Sequence, residues 1–128
     1  MPGICYSSQM DIRIIREPTT LDILNELAGI YHKRLVKGVA DIELGIIALG
    51  GEWHIDANNV LTADGSMQSN LWGFNVYPQE KGDKAIKYNS MINIRPAQGN
   101  TSMDVQGASL QGAIRSLVGK LIPDLELL

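Results

Sequence analysis

Three short stretches of the chain, at 53–58, 71–77 and 85–95, alternate apolar with polar residues, and runs of turn-forming residues separate them. A period of two is typical of β-strands, because successive side chains point to opposite faces of a sheet. The connection after the first stretch contains Asp64-Gly65, a strong hairpin signal. Consecutive strands joined by short turns pair antiparallel. We therefore expect an antiparallel sheet with one apolar face and one polar face.

The rest of the chain predicts one further strand and three helices. Residues 11–16 are rich in β-formers, and Pro18 ends that strand. Apolar residues at helical spacing predict helices over about 21–35 and 109–122. Residues 36–49 are ambiguous: β-branched residues favour a strand, but apolar residues recur at intervals of four and three. We interpret this segment as a helix and keep the strand as the alternative.

The resulting order, β-α-α-β-β-β-α, predicts the α+β fold class. We expect two layers, with a mainly antiparallel sheet of about four strands and the helices packed on one face. Trp53 and Trp72 should lie in the core. The 128 residues, 45% of them hydrophobic, suit one globular domain, which we place at residues 10–128. Residues 1–9 show no periodicity, and we interpret them as a disordered tail or a mis-annotated start.

Charge and cysteine content narrow the classes of function. The net charge of −3 provides no global basic field, which argues against a nucleic-acid partner. The single cysteine cannot form an intramolecular disulfide, and the N-terminal residues lack the charged and apolar regions of a signal peptide. No apolar run has the length of a membrane span. We therefore expect a soluble cytoplasmic protein that makes no membrane contact.

The polar face of the predicted sheet is the first candidate for a functional surface. Its side chains are amides and rings rather than the Lys, Glu and Thr usual on a solvated face, which favours a ligand platform. A plain solvated face is the alternative, because antiparallel sheets commonly expose one polar side. With the loop that follows the last strand, the candidate ligand-binding residues are His54, Asp56, Asn75, Tyr77, Asn93, Arg95, Gln98 and Asn100. Asn58 and Asn89 share the predicted face, and Met91 would mark a contact patch on it.

Arg95 ends the last predicted strand just before a proline. Its planar guanidinium could bind a carboxylate or phosphate while the glycine-containing loop presents backbone N–H groups. In the alternative, Arg95 pairs with Asp104 or Glu52, and the Asn and Gln side chains cap loop carbonyls. Both interpretations stay open on the sequence alone.

His54 and Asp56 form a His-x-Asp pair, which in a strand places both side chains on one face roughly 7 Å apart. Such a pair could supply two metal ligands, or a general base with its orienting carboxylate. The sequence identifies no third member, so we expect neither a metal nor a cofactor and assign no catalytic residue. A small hydrolase or metal-dependent enzyme using this pair remains the alternative function.

Three motifs occur together in this chain: GGE-x-H-x-D at 50–56, DGS followed by Q and LWG at 64–73, and INIRP-x-QGN at 92–100. In this combination the chain resembles domain of unknown function family 5674, whose members are small uncharacterised bacterial proteins, from Met10 to about Ile122. The resemblance implies a self-standing cytoplasmic bacterial domain and implies no activity. Our leading hypothesis is a binding or interaction module. Its partner is an unknown small ligand or a protein, with a homodimer among the alternatives.

Overall fold

The computed structural model describes residues 11–128, so the interpretation of residues 1–9 concerns a part of the chain outside the described residues. The described part contains three α-helices and five β-strands, which confirms the α+β fold class and broadly the expected order. Short 3₁₀ turns connect several of them. The elements are β1 (Arg13–Ile15), α1 (Leu21–Ile30), β2 (Val36–Asp41), β3 (Ile46–Leu49), α2 (His54–Ala63), β4 (Leu71–Val76), β5 (Ile86–Lys87) and α3 (Ala108–Leu121).

The five strands form one sheet in the order β1-β3-β2-β4-β5, and every neighbouring pair is antiparallel, as expected. β2 lies at the centre and pairs along its whole length with β4, from Val36 opposite Val76 to Asp41 opposite Leu71. Its other edge pairs with β3. The backbone of β2 is therefore fixed on both sides, which makes it a rigid support for any side chain that it carries.

Residues 36–49 form the hairpin of β2 and β3, so the helix interpretation was wrong and the strand alternative is correct. The connecting turn is held by the buried side chain of Asp41, whose Oδ1 accepts hydrogen bonds from the backbone N–H groups of Glu43 (3.0 Å) and Leu44 (2.9 Å). Gly45 completes the turn at a φ of +71°, a conformation that side-chain-bearing residues rarely adopt. Both strands are covered on both faces, and this burial removed the alternation that would have marked them in the sequence.

Residues 54–63 form helix α2, so the predicted strand at 53–58 was wrong. The helix buries His54, Ala57, Asn58 and Leu61, which lie at the i, i+3, i+4 and i+7 spacing of one helical face. Two of these four buried residues are polar, and that obscured the pattern. Trp53, at the N-cap, is 66% exposed, so its placement in the core was also wrong. Trp72 is buried, as expected.

The third alternating stretch, 85–95, is a strand only at β5, where Ile86 and Lys87 pair with β4. Beyond them the chain turns through a 3₁₀ segment at Met91–Asn93 and a second at Pro96–Gln98. The predicted strand was therefore too long, because the segment leaves the sheet after two paired residues. Beyond β5, Tyr88 packs against the larger hydrophobic cluster and Ile92 against the smaller one, while the side chain of Asn93 bonds to the backbone of β4 at Gly73.

The sheet is covered on both faces, whereas we expected helices on one face only. The first face packs against α1 and α3, and the large hydrophobic cluster there includes Leu24, Leu27, Ile114, Val118, Phe74 and Trp72. The second face packs against α2 in a smaller cluster that includes Val39, Ala48, Ala57, Leu61 and Leu71. An open polar sheet face, on which the candidate site was based, does not exist in this arrangement.

The C-terminal residues pack on their own chain. Leu125 and Leu127 are buried in the larger cluster, and the carbonyl of Leu127 accepts a hydrogen bond from Arg115 Nε at 2.7 Å. Gly119 in α3 leaves room for the last two residues, because a Cβ at this position would lie 2.8 Å from Leu128 Cγ and 3.1 Å from Leu127 Cβ. Leu125 and Leu127 of the closing segment are thus part of the core.

Candidate functional site

A cavity of about 370 Å³ opens on the second face of the sheet, between the start of α2 and the 89–92 segment. Its volume lies near the lower end of the range for small-molecule sites, about 300–1,000 Å³. We call it the α2 pocket. Its lining is mainly apolar with a few polar groups on the sheet side, and consists of Lys37, Trp53, His54, Ile55, Asn75, Asn89, Ser90, Met91, Ile92 and Met103.

Lys37 provides the formal charge at the polar end of the α2 pocket. It lies on the central strand β2 directly opposite Asn75 of β4. Its side chain is half-buried and has neither an ion-pair nor a hydrogen-bond partner within residues 11–128. Burial lowers the pKa of the ammonium group, because the charged form loses hydration that no counter-charge replaces. A half-buried lysine in a partly apolar cavity favours a ligand that carries an anionic or an electrophilic group.

His54 begins α2 and is buried beneath the pocket. Its Nε2 lies 2.8 Å from the carbonyl oxygen of Phe74 in β4. Because a carbonyl oxygen only accepts, Nε2 carries the proton in the neutral ring, and Nδ1 is left with a lone pair. Burial lowers the pKa of His54 to about 4, while the Phe74 carbonyl and the nearby Asn75 side chain oppose this shift, and the charge of Lys37 adds to it. His54 is therefore uncharged at neutral pH.

Asn75 forms the base of the polar end. Its Nδ2 donates to the backbone carbonyl of Asn89 at 3.1 Å and to the Asn89 side-chain oxygen at 3.0 Å. Its Oδ1 is buried and has no hydrogen-bond partner within the described part of the chain. Ser90 lies above β4, where Gly73 makes room for it: a Cβ on Gly73 would be only 2.5 Å from Ser90 Cβ. The pocket wall thus depends on a glycine in the strand beneath it.

The rim of the α2 pocket carries large apolar side chains that are exposed to solvent. Trp53 is 66% exposed, Ile55 46%, Met91 73% and Met103 44%. Single exposed apolar residues are ordinary, whereas several around one cavity mark a binding surface. Trp53 and the two methionines offer a ring and polarisable sulfurs, which adapt to ligands of irregular shape. Met91 was predicted to mark a contact patch, and it lies at this rim.

Asn93, a predicted ligand-binding residue, is fully buried and satisfies backbone groups instead. Its Oδ1 accepts from Gly73 N at 2.8 Å, and its Nδ2 lies 3.1 Å from Gly73 O. The same Nδ2 is near the carbonyl oxygens of Met103 (3.1 Å) and Tyr88 (3.3 Å). The side-chain amide therefore pairs with β4 as the backbone of a neighbouring strand would, at the point where β5 has ended.

Arg95 also bonds to backbone groups at the edge of β4. One terminal nitrogen, Nη2, donates to the Leu71 carbonyl, and Nη1 donates to the Gln68 carbonyl at 2.8 Å. The guanidinium lies over the Trp72 ring with its Cζ 3.8 Å from the centroid. Burial lowers the pKa of Arg95, and its Nε has no partner among the described residues. Its partners are two backbone carbonyls and the side-chain oxygen of Gln98, and within residues 11–128 neither Asp104 nor Glu52 pairs with it.

Gln98 and Asn100 complete the tied loop. Gln98 Nε2 donates to the Ser69 carbonyl at 3.0 Å, and its Oε1 accepts from Arg95. Asn100 is buried, with its Nδ2 at 2.9 Å from the carbonyl oxygens of Asn93, Ser102 and Asp104. These bonds match the alternative in which Asn and Gln side chains cap loop carbonyls. We call residues 93–100 the tied loop.

Asp56 and Tyr77 lie apart from the α2 pocket lining. Asp56 Oδ2 accepts from the backbone N–H of Trp53 at 3.1 Å and caps the start of α2. Tyr77 lies just past the end of β4, and Lys87 Nζ is 5.8 Å from its ring centroid. Of the eight predicted residues, His54 and Asn75 line the pocket, and four lie in the tied loop. Asp56 and Tyr77 belong to neither.

The His-x-Asp pair lies on a helix and does not have the strand geometry on which its proposed roles were based. Residues two apart on a helix do not share a face, so His54 and Asp56 cannot reach one ion or act on one proton together. Within residues 11–128, no group of three or more His, Cys, Asp or Glu side chains is arranged to hold a metal ion. The motivation for the alternative enzyme function is therefore absent from the described site.

Lys37, Trp53 and Ile55 are pocket residues that the sequence interpretation missed. The misassigned helix at 36–49 hid Lys37, because a lysine on a helix is usually solvated. The one available signal was its position as a single charge among Val36, Gly38 and Val39, in a segment rich in β-branched residues. A charge inside an apolar strand run is unusual, and it indicates either an edge or a site.

Comparison with known proteins identifies one family. The model of the family described as "Protein of unknown function (DUF5674)" matches residues 13–121. No curated protein and no solved structure is significantly similar to the chain. Within residues 11–128, none of the helices combines the length and the hydropathy needed to cross a membrane.

Proposed function

This chain belongs to the DUF5674 family of proteins of unknown function, and we propose that its α2 pocket binds a small organic ligand with an apolar body and a carboxylate group. The chain is then a small-molecule binding module. The cytoplasm remains the compartment that we predict for it, in agreement with its single cysteine.

The observation that carries this proposal is the half-buried Lys37 without a counter-charge at the end of a mainly apolar cavity. A ligand carboxylate would supply the missing negative charge in a site where water is partly excluded and the interaction is correspondingly stronger. Among the described residues that line the pocket, none is acidic and would compete with it. The start of α2 lies beside it and contributes the positive end of the helix dipole, which Asp56 partly offsets.

The apolar body would lie against the rim side chains Trp53, Ile55 and Met91. The volume of about 370 Å³ suits a molecule of roughly ten to twenty heavy atoms. Hydrocinnamate is a suitable probe, since its phenyl ring and two-carbon spacer separate an apolar body from a carboxylate. At about 0.3–0.4 kcal/mol per heavy atom, its Kd would be on the order of 1 mM.

Thermal unfolding tests the proposal. Hydrocinnamate at ten times its Kd should raise Tm by about 5 °C, since a ligand that binds only the native state stabilises it by RT ln(1 + [L]/Kd). Lys37→Met should lose most of this shift, measured against its own ligand-free Tm. Lys87→Met is the matched control, because Lys87 is also a cross-strand neighbour of Asn75 but is exposed and does not line the pocket.

The uncharged analogue hydrocinnamamide separates charge from hydrophobic contact. It fills the same volume and should produce a clearly smaller shift on the wild-type chain. Equal shifts from acid and amide, or an equal shift in Lys37→Met, would show that Lys37 does not recognise the carboxylate. Such a result would contradict the proposal even if the pocket still accepted apolar molecules.

A further inference from the structure

We propose that Lys37 is also a nucleophile, which forms an imine with an aldehyde or ketone that enters the α2 pocket. This inference rests on the proposed function in one respect: the same cavity admits the apolar body of the carbonyl compound. It goes beyond that function because a covalent bond replaces the ion pair.

The geometry presents the Lys37 amine from a fixed support. The backbone of Lys37 lies on the central strand β2, opposite Asn75, and the backbone carbonyl of Lys37 accepts a hydrogen bond from Gly50 N at 2.9 Å. The half-buried side chain extends from this support into the cavity wall. A nucleophile anchored in this way loses less freedom on reaction than one on a mobile loop.

The surroundings increase the fraction of Lys37 that is in the uncharged, reactive form. No carboxylate pairs with Lys37 within residues 11–128, and the cavity around it is mainly apolar. Both conditions disfavour the ammonium ion, in agreement with the lowered pKa of Lys37. Desolvated lysines of this kind are the ones that form Schiff bases in proteins.

His54 gives the site a second group for handling protons. It lines the same cavity, is uncharged at neutral pH, and has a lone pair on Nδ1 while Nε2 donates to the Phe74 carbonyl.

In the reaction, the lone pair of the Lys37 amine attacks the carbonyl carbon of the ligand, and the proton lost from nitrogen is transferred to the carbonyl oxygen. The carbon–oxygen bond of the resulting carbinolamine then breaks as the nitrogen lone pair forms a C=N bond, and the hydroxyl group leaves as water with the remaining N–H proton. No oxidation or reduction occurs.

Reductive trapping tests this inference on the full chain. Hydrocinnamaldehyde is added with cyanoborohydride, which reduces an imine to a stable secondary amine, and peptide mass spectrometry locates the adduct. We expect Lys37 to be modified several-fold faster than the exposed lysines Lys87 and Lys120. Lys37→Arg cannot form the adduct, so it should lose the fast modification, whereas Lys87→Arg, at an exposed control position, should keep the fast adduct at Lys37.

The possible results distinguish the two proposals. If adducts follow solvent exposure, with Lys87 and Lys120 ahead of Lys37, the imine inference is overturned. In that case a Tm shift with hydrocinnamate still supports the carboxylate site. If wild type shows neither a preferred adduct at Lys37 nor a hydrocinnamate shift, both the inference and the proposed function are overturned.

Discussion

The tied loop and the α2 pocket contain the same kinds of side chain, amides and one cation, and use them in opposite ways. In the tied loop, the amides of Asn93 and Asn100 are buried and bonded on both their nitrogen and oxygen sides to backbone groups. In the pocket, Asn75 Oδ1 has no partner among the described residues. Unusual polar composition therefore does not locate a binding site. We base the proposed site on a cavity together with an unpaired polar atom in its lining, since Arg95 Nε in the tied loop also lacks a partner among the described residues.

The two cations show the same contrast. Arg95 directs its terminal nitrogens at the Leu71 and Gln68 carbonyls and stacks on Trp72. Lys37 has no such partners in the part of the chain that the structure describes, and it lines a cavity. The planar guanidinium of arginine is suited to several fixed acceptors, whereas the ammonium group of lysine is a point charge that can bind a single ligand group. Substitutions in the tied loop should therefore reduce stability, and those in the pocket should change binding.

The largest effect is expected for Asn93→Ala. Removing the amide leaves Gly73 N–H and C=O unpaired in the interior, where each buried unsatisfied group costs about 1–3 kcal/mol. We expect the free energy of unfolding to fall by about 4 kcal/mol in urea titrations. Asn59→Ala, an exposed change on α2, is the control and should stay within about 0.5 kcal/mol. A loss below about 1 kcal/mol for Asn93→Ala would mean that the tied loop is not structural.

His54 should produce the next largest effect, as a dependence of stability on pH. Its pKa is about 4 in the folded chain against 6.5 for the free side chain, so the unfolded chain binds more protons between these values. Stability therefore falls as pH is lowered from about 6.5 towards 4, by at most about 3 kcal/mol.

Chemical denaturation at several pH values between about 4.5 and 6.5 measures this dependence. His54→Gln should remove that part of the slope, whereas His32→Gln, at a less buried histidine, should retain it. An unchanged slope in His54→Gln would place the titrating group elsewhere. It would also remove the reason for treating His54 as uncharged beneath the pocket.

The smallest expected effect has the opposite sign. Lys37→Met removes a half-buried charge that has no partner in the described chain, and it should raise the free energy of unfolding by about 0.5 kcal/mol. Functional residues commonly reduce stability in this way, because they are arranged for a ligand rather than for the fold. Urea unfolding of Lys37→Met beside Lys87→Met measures the difference. A clear destabilisation by Lys37→Met would make Lys37 a structural residue like those of the tied loop.

The fold class could be predicted from the sequence because most long elements have one dominant pattern. Helix α3 and strand β4 were found at nearly the correct positions, and α1 was found at its correct start, although it ends at Ile30 rather than at about residue 35. Residues 36–49 failed because strands buried on both faces lose their alternation, and the remaining apolar spacing resembled that of a helix. Asp41 and Gly45, four residues apart between two apolar runs, were the hairpin signal.

The candidate site could be predicted only in part, for a related reason. His54 and Asn75 were selected as members of one sheet face, yet they meet because α2 packs over β4. No local pattern encodes that packing. The polar residues of the tied loop attracted attention by their composition, but whether an amide is satisfied by backbone groups depends on partners such as Gly73, twenty residues away.

The pairing of Asn93 with β4 also bears on how the protein behaves at high concentration. An unpaired strand edge is a template on which another chain can add its own backbone, and this is a common route to aggregation. β5 covers only the last part of β4, and the side chains of Asn93 and Arg95 occupy the backbone groups beyond it. Two side chains thus do what a longer strand would do, and they leave no backbone positions there for intermolecular growth.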